Sequence, residues 1–157
     1  MNKKQLVDSI IQQLSTEMEL IATAAKSAHE EATHDGDLHH NQFDTPGLET
    51  SVLAEGQVKV AAELREAFDA FRTLPLKDFA PTEAISLAAI VETEVNGEKN
   101  LYFVGPKAGG LEVAYDAATV YVITPHSPIG AKLIGRRAGD VLPIAAGRPA
   151  VRIVSVR

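Results

Sequence analysis

The chain predicts an α+β protein in which an antiparallel α-helical hairpin precedes a small antiparallel sheet carrying one short helix. Three observations carry this expectation. Two apolar stripes of heptad spacing in the first half mirror each other about an acidic turn. After Leu74-Pro75 the pattern changes to short runs rich in β-branched residues. A serine-proline helix start then stands between the later runs.

The first stripe runs through Val7, Ile11, Leu14, Met18, Ile21, Ala25, Ala28 and Ala32, at spacings of four and three. That is the a/d seam of a helix built to pair. Val60, Leu64, Ala67, Phe71 and Leu74 repeat the spacing, with Leu53 in register upstream and the polar Gln57 between. Antiparallel packing sets Val7 against Leu74, Ile11 against Phe71, Leu14 against Ala67, Met18 against Leu64 and Ile21 against Val60. Every pair centres on residues 40 and 41. The fold-back is therefore expected within Asp35 to Gly47, where Asp-Gly, Asp-Thr-Pro and a further Gly oppose continued helix. At about 1.5 Å per residue, Val7 to His34 makes an arm roughly 40 Å long, too narrow to be the core of a globule. The expected organisation is an arm over 1–75 with its tip at 35–46, a linker at 76–83 and a C-terminal domain over 84–157.

Charge is distributed unevenly along this plan. No Lys or Arg occurs from Ser27 to Val58, while Glu30, Glu31, Asp35, Asp37, Asp44, Glu49 and Glu55 do. From Pro125 onward Lys132, Arg136, Arg137, Arg148, Arg152 and Arg157 face the single acid Asp140. Acids gathered at the end of a rod repel one another, so the tip is suited to approach a cation or a basic channel. The formal net charge of −6 argues against general nucleic-acid binding.

Composition narrows the chemistry. A 45% hydrophobic content over 157 residues supports a real core in one or two small domains. With no cysteine, disulfides, thiolate nucleophiles and Cys-ligated zinc are excluded. No apolar run reaches the roughly 20 residues that cross a bilayer, and Asp8 with three Gln interrupts the first fourteen, so a cytoplasmic protein is expected. His29, His34, His39 and His40 lack the i, i+4 pairing of a helical two-histidine site. His126 and Ser127 have no evident third member of a triad.

In the second half, strands are expected at Ser86 to Val95, Lys99 to Val104, Leu111 to Val113, Val120 to Ile123 and Val151 to Val156. Asn96-Gly97 signals a type I′ hairpin between the first two. Ser127 is a candidate N-cap, Pro128 the first helical residue, and Gly135 the stop of a helix over Ile129 to Ile134.

The run Ser127-Pro128-Ile129-Gly130-Ala131-Lys132-Leu133-Ile134-Gly135, followed by Gly139-Asp140-Val141, resembles the C-terminal signature of the GreA/GreB bacterial transcription elongation factors. Gly36-Asp37-Leu38-His39-His40-Asn41 resembles that family's tip motif, glycine-aspartate-leucine-x-glutamate-asparagine, and falls where the mirrored stripes place the turn. The resemblance spans nearly the whole chain and implies a coiled-coil arm with an FKBP-like globule. It implies an accessory factor rather than an enzyme, a monomer with no membrane partner and no cofactor of its own. The implied partner is bacterial RNA polymerase. The globule would dock at the rim of the secondary channel through Ser127, Pro128, Ile129, Gly130, Arg136 and Arg137. The tip carboxylates Asp37, Asp35 and Asp44 would assist the polymerase's own active site, with Asp37 sharing its Mg²⁺ and the transcript 3′ end reached only indirectly.

The chain departs from the tip pattern in two places. His40 stands at the glutamate position, and Asp44 stands where the family has a tyrosine, three residues after the asparagine. Neutral imidazole carries no charge to offset Mg²⁺ and prefers softer metals. Two roles therefore stay open: stimulating cleavage of backtracked RNA, or occupying the channel as a regulator without cleavage. A prolyl isomerase would rest on fold analogy alone, with only Tyr102, Phe103, Tyr115 and Tyr121 to line a pocket.

Overall fold

The computed structural model describes residues 2–39 and 45–157, with side chains described for 2–24, 26–27 and 55–157. Two helices come first, α1 over Lys3–His39 and α2 over Thr45–Arg72. Six strands and a third helix follow: β1 Ile90–Val95, β2 Glu98–Val104, β3 Glu112–Tyr115, β4 Ala118–Ile123, α3 Pro128–Leu133, β5 Val141–Leu142 and β6 Val151–Val156. The chain divides into two compact units, one of Met1–Ile11 with Asp69–Arg157 and one of Gln12–Phe68.

The helical unit carries the expected stripes with two corrections. Helix α1 continues through Asp35-Gly36-Asp37 to His39, and Pro46 and Gly47 lie in the first turn of α2. Proline suits a helix's first turn because its missing N–H would have no intrahelical partner there. The fold-back placed at 40 and 41 lies outside the described residues, as do the side chains of Ala25, Ala28, Ala32 and Leu53. Of the seam, Leu14 and Ala67 are buried, and Met18, Ile21 and Leu64 are half-buried. Val60, expected opposite Ile21, is 45% exposed and does not close the seam there.

The other unit is built on a six-stranded sheet of order β3-β4-β2-β1-β6-β5. It is mixed rather than antiparallel throughout, because β2 and β4 run parallel with Tyr102 opposite Tyr121. The loop after β2 is the cause. Gly105 N–H bonds to the Ile123 carbonyl and Gly110 N–H to that of Val122, which seats β4 beside β2 and leaves β3 outside. Strand β4, with Val120, Val122 and Ile123 buried, takes the interior place. The shorter β3, exposing Glu112 and Ala114, takes the edge. The β1–β2 hairpin turns as expected: Asn96 and Gly97 have φ of 51° and 82°, the two positive values of a type I′ turn. Strand β1 starts at Ile90 rather than Ser86, since Ala88 adopts φ 69° and breaks the extended run. Strand β5, two residues long, was not expected.

Side chains alternate between the two faces of the sheet. Phe103 belongs to one face, where its ring lies 6.3 Å from that of Phe71 at the end of α2. Gly105 is fixed by the same contact, because a Cβ there would come within 2.7 Å of the Phe71 ring. Leu6, Val7 and Ile10, from the first turns of α1, are buried in this unit. On the opposite face Val91, Val104, Ile123, Ile153 and Val156 form one core with Leu133 of α3, Leu142, Ile85 and Phe79. Phe79 falls inside the segment read as a linker, and that segment is tied down. The Lys3 and Lys77 ammonium groups sit 4.7 and 4.4 Å from the Phe79 ring centre. Lys3 donates to the Lys77 carbonyl, and Lys77 pairs with Glu83, which also accepts the Ala80 N–H. Burial lowers the pKa of Lys3, with Asp78 partly offsetting it.

Candidate functional site

The Ser127 to Gly135 motif folds as a capped short helix. Ser127, in extended conformation, accepts the Gly130 N–H at 3.1 Å and donates its hydroxyl to the Thr124 carbonyl at 2.8 Å. Pro128 occupies the first turn, and the helix ends one residue earlier than expected, with Gly135 at φ 80°. Gly130 has no substitute here, since a Cβ would lie 1.8 Å from the Thr124 carbonyl oxygen. Two of the six residues singled out for docking, Ser127 and Gly130, therefore have folding duties that are enough to explain them. Pro128 is exposed and Ile129 half-buried.

The cations beside this helix are on the surface. Arg136 and Arg137 are both exposed, while their backbone is fixed. The Arg136 carbonyl accepts from Ile85 N–H at 2.8 Å, and Arg137 N–H donates to the Asp140 carboxylate at 2.9 Å. Asp140 in turn offers its carbonyl to Ile153 N–H, which anchors the glycine-aspartate turn to β6. Next to them a groove of about 350 Å³ is lined by Ala131, Lys132, Ile134, Arg136, Leu142 and Pro143. Its floor is apolar and its rim basic, with Lys132 donating to the Ile144 carbonyl. Sequence reasoning missed Leu142 and Pro143, because a two-residue strand leaves no periodic signal. The arrangement suits recognition of an acidic surface bearing an apolar side chain.

On the sheet, Glu92 pairs with Lys99 at 2.8 Å. That hydrogen bond, helped by the Arg157 charge, holds the Glu92 carboxyl below its ordinary pKa and raises that of Lys99. These groups line a second hollow of about 430 Å³ together with Leu101 and Ala118.

In the helical unit, the backbone of Asp35 and Asp37 belongs to the last turns of α1. Their side chains, and all of His40 and Asp44, lie outside the described residues. Among the described residues no group of three or more His, Asp or Glu could hold a metal ion, and no helix is long and apolar enough to cross a membrane.

No family model matches the chain. Among characterised proteins it is similar to the transcription elongation factor GreA of Thermomicrobium roseum, with 25% identity over 130 residues, 82% of this chain and 78% of that protein. It is also similar to the transcription inhibitor protein Gfh1 of Thermus thermophilus, with 27% identity over 154 residues, 95% of this chain and 91% of that one. Among solved structures, Gfh1 of Thermus thermophilus covers 94% of each chain at 20% identity and TM-score 0.37. Gfh1 of Thermus aquaticus covers 93% and 92% at 21% identity and TM-score 0.38. Superpositions this loose carry no argument, whereas the two sequence relatives and the motifs in both halves of the chain agree in their likeness to GreA and its homologue Gfh1.

Proposed function

We propose that this protein binds bacterial RNA polymerase and regulates transcript elongation, with its helical arm inserted into the secondary channel and its globule at the rim. The observation that carries this reading is the agreement of two relatives, GreA and Gfh1, over 82% and 95% of the chain. In this reading the basic groove beside α3, with Arg136 and Arg137, meets an acidic face of the polymerase. Asp37, supported by Asp35 and Asp44, brings hard carboxylate oxygens toward the polymerase's catalytic Mg²⁺.

The relation to Gfh1, described as a transcription inhibitor, together with His40 at the glutamate position, favours a second reading of the same site. There the arm occupies the channel without supporting cleavage, and the factor inhibits or modulates transcription. One experiment separates the two once polymerase binding has been measured. A stalled, backtracked elongation complex is incubated at fixed Mg²⁺ with the wild-type protein, with Asp37→Ala, and with the Asp35→Ala, Asp44→Ala pair. Shortened RNA that depends on these carboxylates establishes a cleavage factor. Binding without shortening establishes the channel regulator, and failure to bind overturns the proposal.

A further inference from the structure

Packing along the helical unit changes over a short distance. Leu14 and Ala67 are 1% and 5% exposed, whereas Val60, further out in the same seam, is 45% exposed. The change coincides with two residues of α2. Gly56 stands in the helix interior with nothing within 4 Å of the position a Cβ would take, so no close approach requires glycine. Glycine weakens a helix more than any residue except proline, because it gains the most backbone freedom when the turn opens. Gln57 follows, half-buried in the line of the seam, and its Oε1 is enclosed without a hydrogen-bond partner. An enclosed amide oxygen with no donor is stabilised by any state that admits water.

We infer that α2 contains an opening point at Gly56-Gln57, where one turn of the helix unwinds locally while the turns around Ala67 and Phe71 stay closed. Glycine favours the opened chain and Gln57 gains a water hydrogen bond. Val58 and Val60 lose little burial because both are already exposed. The opening belongs to α2 itself and does not rest on the identity of any partner. It gives the helical unit a place to yield without loss of its packed base, in the manner of a local unfolding unit.

Hydrogen exchange of the full-length protein tests this, comparing amides of residues 57–61 with those of residues 64–71. In the wild type the first group should exchange at least tenfold faster. Gly56→Ala should slow it about fivefold, the helix-propensity difference between the two residues, and leave the second group unchanged. Gln57→Leu should add further slowing in the same group, while Glu63→Ala, an exposed position nearer the base, should change neither. Uniform protection along α2 overturns the inference. So does a Gly56→Ala effect spread equally over both groups, which marks a change in global stability, and so does the absence of any slowing.

Discussion

The two ends of the described seam follow the same spacing and reach different outcomes. Near the base, Leu6, Val7, Ile10 and Leu14 of α1 and Ala67 and Phe71 of α2 are all buried. A turn or two outward, Met18 and Ile21 are half-buried and Val60 is exposed. Heptad spacing fixes which face of a helix is apolar, but burial depends on how much surface that face meets. Leu6 and Ile10 widen the stripe at the base, where the sheet unit includes the first turns of α1. Outward the stripe narrows to a single seam. The difference teaches that stability is concentrated where the helices join the sheet.

The sharpest way to break that contrast is Phe71→Ala. It removes a ring packed against Phe103 and Gly105 and should cost about 3–5 kcal/mol in denaturant unfolding. A cost comparable to that of an exposed site would show that the base is not the centre of stability. Gly130→Ala should follow at about 1–3 kcal/mol, because Thr124 must move to admit the methyl group. Its helix signal in circular dichroism should survive if only α3 shifts. Val60→Ala should change stability by less than about 0.5 kcal/mol, as at other exposed positions. A loss as large as that of a core truncation would mean the seam closes at Ile21 and Val60 after all.

The smallest effect concerns Glu92, whose side chain is 18% exposed and paired with an exposed Lys99. Its folded pKa is depressed from 4.5, chiefly by the Lys99 hydrogen bond, so the folded state is favoured while the carboxyl is ionised. The contribution is present above pH 4.5 and fades as pH falls through the lower folded value. Glu92→Gln should therefore be slightly less stable than wild type at neutral pH and equal to it in acid. A difference that persists unchanged in acid would assign the effect to packing.

Much of the fold was legible because the deciding interactions are local. The heptads, the Asn96-Gly97 turn and the Ser127-Pro128 start each depend on a few consecutive residues and appear in the structure. The parallel pairing of β2 with β4 was not legible, since it depends on where a seven-residue loop delivers the chain. Phe79 falls in the linker expected between Leu74-Pro75 and Pro81, and the contacts that hold it come from Lys77 beside it and Lys3 far away in the sequence, which no local pattern shows. At the site, Arg136 and Arg137 were legible as surface cations, but the groove beside them was not, because Leu142 and Pro143 approach it from a different part of the chain. Ser127 and Gly130 were legible as a motif, and their geometry explains them by folding alone.

The turn between β1 and β2 carries a chemical liability. Asn96 is exposed and precedes Gly97, the neighbour that least shields its own backbone nitrogen from attacking the asparagine side-chain carbonyl. Ageing through that cyclic imide places an extra methylene in the main chain of a two-residue turn. The register that sets Val95 opposite Glu98 then loses the geometry that fixes it. Stored protein would accumulate a charge variant whose damage lies in one hairpin and whose mass differs from the original by a single dalton at most.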